Sequence, residues 1–227
     1  MNSLNKPWTS ETVAADLEHA IHEHRLPPGT KLGEDELAEA YGISRTIVRA
    51  ALLALSHRRL IELKRNRGAF VAQPSVREAR EVFEARALLE PRTAHSAAKR
   101  MTDTDLALLH ENIDQEHAAL DAGETGRALF LSGQFHLEIA RIADQTTIQT
   151  FISELVSRSS LIIALYWRRR AALCETQAHH ALLDALERRD ADAAEQLMKS
   201  HLLDLLASLD LRNVVQPATS LKEALNR

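Results

Sequence analysis

Arg45 and Arg49 lie four residues apart in the stretch ISRTIVRAALLAL, so on a helix their guanidinium groups project from one face. Each presents a planar fork that suits guanine O6 and N7, or a phosphate. Ser44 and Thr46 add hydroxyls that reach phosphate, and the amides of the helix start add further donors. In LKRNRGAF, Arg65 and Arg67 fall at the tip of a hairpin-like segment, placed to follow the adjacent backbone or the minor groove. From Ser44 to Arg67 seven cations face a single anion, Glu62, for a local charge of +6, although the whole chain carries −4. A basic patch on an otherwise acidic protein suits a DNA contact. Two arginines on a helix are by themselves ordinary solvated surface. The capped helix and the basic hairpin behind it decide for DNA.

The elements that must hold these residues are legible in the pattern. Val13, Leu17, Ala20 and Ile21 form one apolar stripe of a helix starting near Trp8, with Thr9 or Ser10 as its cap and Pro27-Pro28-Gly29 as its end. A short helix from about Glu34 to Tyr41 opens on acidic residues that suit its dipole. Gly42 then supplies a left-handed cap. Ser44 caps the next helix, whose buried face is Val48, Leu52 and Leu55, with Ala51 beside Leu52, and which runs to about His57. Leu60–Leu63 and Ala69–Ala72 flank Lys64–Gly68 as a hairpin. Glu36 and Glu39 read as solvated charge.

Gln73-Pro74-Ser75 is the clear break. Beyond it the periodicity predicts helices near 75–101, 103–122, 124–144, 147–173, 175–189 and 191–211, joined by linkers short enough for an antiparallel bundle. The expected fold is mainly α: a winged helix-turn-helix with a small β-hairpin wing in residues 1–73, an all-α antiparallel bundle in 74–212, and a loosely ordered tail in 213–227. Residues 1–7 read as frayed, and Arg168–Arg170 as a solvated helix end. Cys174 is the single cysteine, so no intrachain disulfide forms and a reducing cytoplasm is the expected compartment. No signal-peptide core opens the chain, and the apolar run Leu161–Trp167 is too short for a bilayer.

With those residues in view, PPGTKLGEDELAEAYGISRTIVRAALLALSHRRLIELKRNRGAFVA resembles the DNA-binding domain of the GntR family of bacterial regulators. The resemblance implies operator contacts by Lys31, Arg45, Arg49 and wing residues such as Arg67. Ala50 departs from it, standing where the family often has Glu.

The region after Ser75 resembles the effector domain of the FadR subfamily, called FCD, through VFEARALLEP, SGQFHLEIA and HHALLDALERRDADAAEQLMKSHL. That implies a helical bundle, a homodimer, and a cavity for a small effector, usually an organic acid. Many such domains hold a divalent metal through an Asp and three His. Carried over, the histidines are His136, His179 and His201, and the Asp position falls on Ser132. A hydroxyl is a poor ligand, so the set becomes three imidazoles. These suit Zn²⁺ or a similar ion and leave an open position for water or an effector carboxylate.

Judged without the family, the three histidines fall on separate predicted helices within apolar stretches, where neutral imidazoles form a ligand set or simply a hydrogen-bonded core. His180 is turned about 100° from His179 and ranks second as a ligand. By resemblance Arg86 faces the cavity with Ser132 and binds the effector. An i, i+4 salt bridge to Glu90 is the equal alternative. Gln145 stands where related domains often carry Asn. Tyr166 and Trp167 read as core or as pocket lining.

The expected function is a dimeric, ligand-responsive repressor reading double-stranded operator DNA, binding a small carboxylate with a divalent metal. A metal-sensing regulator is the alternative. A metal-dependent hydrolase is disfavoured because there is no HExxH, and Glu138 points about 160° away from His136 on the helix.

Overall fold

The computed structural model describes residues 8–167 and 172–212. The expected loose ends, 1–7 and 213–227, the Arg168–Arg170 run and the side chain of Cys174 lie outside the described residues. Among those described, the chain divides into two compact units, 8–73 and 74–212.

The first unit is built from α1 (Ser10–His22), β1 (Lys31–Leu32), α2 (Glu34–Tyr41), α3 (Arg45–His57), β2 (Ile61–Lys64) and β3 (Gly68–Val71). Thr9 caps α1 reciprocally with Thr12, and Val13, Leu17, Ala20 and Ile21 are buried. The helix stops before the prolines: Glu23 is its cap and His24 turns to φ 57°. Gly42 closes α2 at φ 65°, a left-handed conformation that favours glycine. Ser44 Oγ accepts from Ile47 N at 3.4 Å to start α3, which buries Val48, Ala51, Leu52 and Leu55. The wing is more than the expected hairpin. β1 pairs antiparallel with β3, setting Lys31 opposite Phe70, so the sheet has three strands in the order β1-β3-β2. A two-residue strand has too little alternation to show in sequence.

The second unit contains α4 (Val76–Arg100), α5 (Asp103–Asp121), α6 (Thr125–Ile142), α7 (Thr146–Tyr166), α8 (Ala172–Glu187) and α9 (Ala191–Ser208). Ser75 and Thr102 open α4 and α5 with capping boxes. α9 lies along α4, α5 beside α6, and α7 against α4 and α6. Phe135, Leu109, Ile113, Leu182, Leu186 and Met198 fill the core.

Helix α7 ends at Tyr166, short of the expected 173. Trp167 turns to extended backbone and bridges Leu209, while Tyr166 Oη donates to Pro74 O at 2.8 Å. These tertiary contacts outweigh the local helical pattern. α7 is long and apolar enough by composition to cross a membrane, with mean hydropathy 1.3. It serves as a bundle helix, with Ile152, Val156, Ile162 and Leu165 buried.

Candidate functional site

On the first unit, the side chains of Arg45 and Arg49 are 53% and 60% exposed at the start of α3. Both guanidinium groups reach one carboxylate on α2. Arg49 Nε lies 2.7 Å from Glu34 Oε2 and Arg45 Nη2 lies 3.4 Å from the same oxygen, while Arg45 Nη1 contacts Asp35 at 3.0 Å. Glu34 and Asp35 read in sequence only as helix-dipole charges. Their contact with the arginines depends on the α2–α3 crossing, which no local pattern encodes. Glu36 and Glu39 are exposed, in keeping with the sequence reading. Ser44, Thr46 and Lys31 are exposed as well.

Arg65 and Arg67 flank Asn66 at the wing tip, where Asn66 adopts φ 59° and Gly68 φ 92°. Arg67 and Lys64 sit over the Phe70 ring at 5.8 and 5.1 Å, which steadies the wing cations. Between α3 and the wing runs a cleft of about 450 Å³ lined by Arg49, Leu53, Leu63, Lys64 and Arg65 among others.

On the second unit, His136 of α6, His179 of α8 and His201 of α9 converge, all three buried. One nitrogen from each lies within 4.8 Å of the other two. His136 Nε2 and His201 Nε2 are 3.3 Å apart. That is close to the roughly 3.3 Å between ligands of a tetrahedral ion with metal–nitrogen bonds of about 2.0–2.1 Å.

The outer nitrogens of His136 and His179 are taken. His136 Nδ1 donates to Glu90 Oε2 at 2.6 Å and His179 Nδ1 donates to Glu116 Oε2 at 3.0 Å. A neutral imidazole that donates from Nδ1 carries its lone pair on Nε2. His179 Nε2 is buried and has no hydrogen-bond partner among the described residues, so it is available as a ligand atom. Burial drives His136 down to about 4 in spite of Glu90, and drives His201 well below the ordinary imidazole value. Both are neutral at physiological pH, as metal ligation requires. The residues therefore fit a borderline divalent ion.

Arg86 resolves to its ion-pair alternative. Its Nε and Nη2 hold Glu90 at 2.5 and 3.3 Å, and Nη1 donates to Ser159 Oγ at 3.0 Å, with the pair buried. Burial would raise the Glu90 carboxyl, but Arg86 and His136 outweigh it and hold it at about 2. Ser132 is half-buried on α6, one turn before His136, outside the cluster of converging nitrogens. Glu138 turns to Arg141 at 2.6 Å, away from the histidines. His180 is exposed and its ring lies 4.8 Å from His117, not in the cluster. Gln145 takes the N-cap position of α7 without a side-chain cap bond, and Tyr166 joins the core.

Sequence reasoning missed Glu116 and gave Glu90 only the role of partner to Arg86. The signal was positional: Glu116 falls on the buried stripe of α5 with Leu109, Ile113 and Ala119, and Glu90 on that of α4 with Phe83 and Ala94.

This pairing of a winged helix-turn-helix with a helical bundle defines a class of bacterial regulator. Residues 9–71 match the bacterial regulatory proteins of the gntR family, and residues 81–204 match the FCD domain. The chain belongs to the GntR family and carries an FCD effector domain; it is a transcriptional regulator and not an enzyme. It is 29% identical to the galactonate operon transcriptional repressor of Escherichia coli K12, covering 86% of this chain and 92% of that one. It is 26% identical to the transcriptional repressor RspR of the same organism, covering 86% and 84%. In fold it is similar to a GntR transcriptional regulator from Rhodococcus sp. RHA1, with a TM-score of 0.78, 24% identity and coverage of 87% and 95%. The E. coli protein McbR/YncC aligns with a TM-score of 0.77 at 24% identity over 91% of this chain.

Proposed function

We propose that this protein is a homodimeric repressor whose FCD domain binds a divalent metal, best Zn²⁺, together with a small organic acid. The observation that carries the reading is the convergence of three buried imidazoles, with a nitrogen of His179 that has no hydrogen-bond partner. His136, His179 and His201 would hold the ion, which supplies a Lewis-acid position for a carboxylate. The chain's own residues do the rest: Glu90 and Glu116 orient the rings, and the apolar core around them excludes water.

Lys31, Ser44, Arg45, Thr46, Arg49, Arg65 and Arg67 form the operator contact, with the two arginines of α3 reading bases and the others positioning the backbone. Two-fold symmetry of the dimer calls for an inverted repeat. The effector acts through its different affinity for DNA-competent and DNA-incompetent dimers. A 100-fold change in operator affinity corresponds to roughly 2.7 kcal/mol of coupling.

The engagement of Arg86 by Glu90 and Ser159 favours a second reading, in which the metal itself is the signal, because that guanidinium is not free to receive an effector carboxylate. Fluorescence anisotropy on the promoter nearest the gene separates the two. Under the first reading, chelation weakens effector response and leaves DNA binding largely intact. Abolition of DNA binding by chelation, with no response to any organic acid, selects the second. Metal analysis of protein purified without chelator should find one ion per chain, and its absence overturns both.

A further inference from the structure

Three imidazoles bring no negative charge to a divalent ion, and the core contains a buried carboxylate placed to supply it. Glu116, on α5, is 3% exposed, and its one partner among the described residues is His179 Nδ1 at 3.0 Å. Glu90, the equivalent acid behind His136, is balanced by the two-pronged grip of Arg86. Glu116 has no such guanidinium. A buried carboxylate is costly unless a positive charge compensates it. On the far side of the same ring His179 Nε2 is buried and without a partner, so a cation held there would compensate the carboxylate through the imidazole.

We infer that Glu116 is a positioning residue for the metal. It fixes His179 with Nε2 inward and supplies, from behind the ring, negative charge that the three imidazoles themselves lack. This rests on the metal reading above. It deepens that reading by assigning the charge balance of the site, and with it a preference. An all-nitrogen inner set with its anions held one ring away favours Zn²⁺, Co²⁺ and Ni²⁺ over Mg²⁺ and Mn²⁺, which prefer oxygen ligands.

The test uses the full-length chain stripped with chelator, with Co²⁺ as the optical probe and Zn²⁺ competed against a chromophoric chelator. The unaltered protein should take up one Co²⁺ with a four- or five-coordinate visible spectrum. Glu116→Gln should bind about 10–100-fold more weakly, in the range of outer-shell losses. The exposed Glu111→Gln on the same helix should bind as the unaltered protein does. Adding Ser132→Asp to Glu116→Gln should recover much of the lost affinity and admit Mn²⁺, a rescue that a purely structural role for Glu116 would not show.

If Glu116→Gln does not fold, Glu116→Asp withdraws the oxygen by one methylene while keeping its charge, and it should still bind more weakly. No Co²⁺ uptake by the unaltered protein defeats the metal reading itself. Tight uptake that neither Glu116 variant changes leaves that reading standing and overturns this one.

Discussion

Arg49 Nε donates to Glu34 Oε2 across 2.7 Å on the exposed face of the winged helix-turn-helix unit. If Arg49 reads bases as proposed, the acid that orients it also holds negative charge where a phosphate strand would approach. Both side chains are partly exposed, so the pair adds little to folding, at most about 1 kcal/mol. Glu34→Gln should therefore leave the melting temperature nearly unchanged while raising affinity for random DNA. Lower discrimination between operator and random duplex in anisotropy titrations is the expected result. Unaltered discrimination would remove Glu34 from the readout.

Arg49→Ala should lose about 1–3 kcal/mol of operator preference, provided the fork reads a base. Arg67→Ala should instead weaken all sequences alike and flatten the salt dependence by about one phosphate contact. Binding isotherms at several salt concentrations distinguish the two patterns. A uniform loss for Arg49→Ala would reassign it to the backbone.

The buried Arg86–Glu90 pair leads to a stability prediction. Arg86→Met strands the Glu90 carboxylate and should cost about 3–5 kcal/mol in denaturant unfolding. Arg86→Met with Glu90→Met should recover much of that, since a buried pair is often replaceable by apolar groups. The double variant should nevertheless bind metal more weakly, because His136 Nδ1 loses its acceptor. A mild single variant would mean that Arg86 is not structurally committed and is open to an effector.

His22 on α1 sets a pH dependence in the first unit. Burial, with His24, His19 and Arg58 nearby, lowers it from 6.5 to about 4. Below 6.5 the unfolded chain binds a proton that the folded chain refuses, so stability falls with pH from about 6.5 toward about 4. Above 6.5 this contribution is fully present. Thermal melts across that window should show the fall, and His22→Gln should flatten it. An equal slope in the variant would assign the acid sensitivity elsewhere.

Local chemistry was enough to expose the architecture. Ser44 caps α3, Gly42 turns left-handed, Ser75 opens α4, and the apolar stripes of α1 and α3 are buried as their spacing requires. Each of these depends on residues within a turn or two of one another, where sequence distance and spatial distance agree. The resemblance to regulators of known fold added the histidine set, which spacing alone left open between ligand and core.

Tertiary structure decided what meets across elements. The grip of Arg86 on Glu90, the carboxylates behind His136 and His179, the acid shared by Arg45 and Arg49, the third strand of the sheet and the early end of α7 all join groups distant in the chain. Periodicity tells which face of a helix is inward. It does not tell which buried nitrogen finds which oxygen, because that depends on how neighbouring helices are rotated and shifted along their axes.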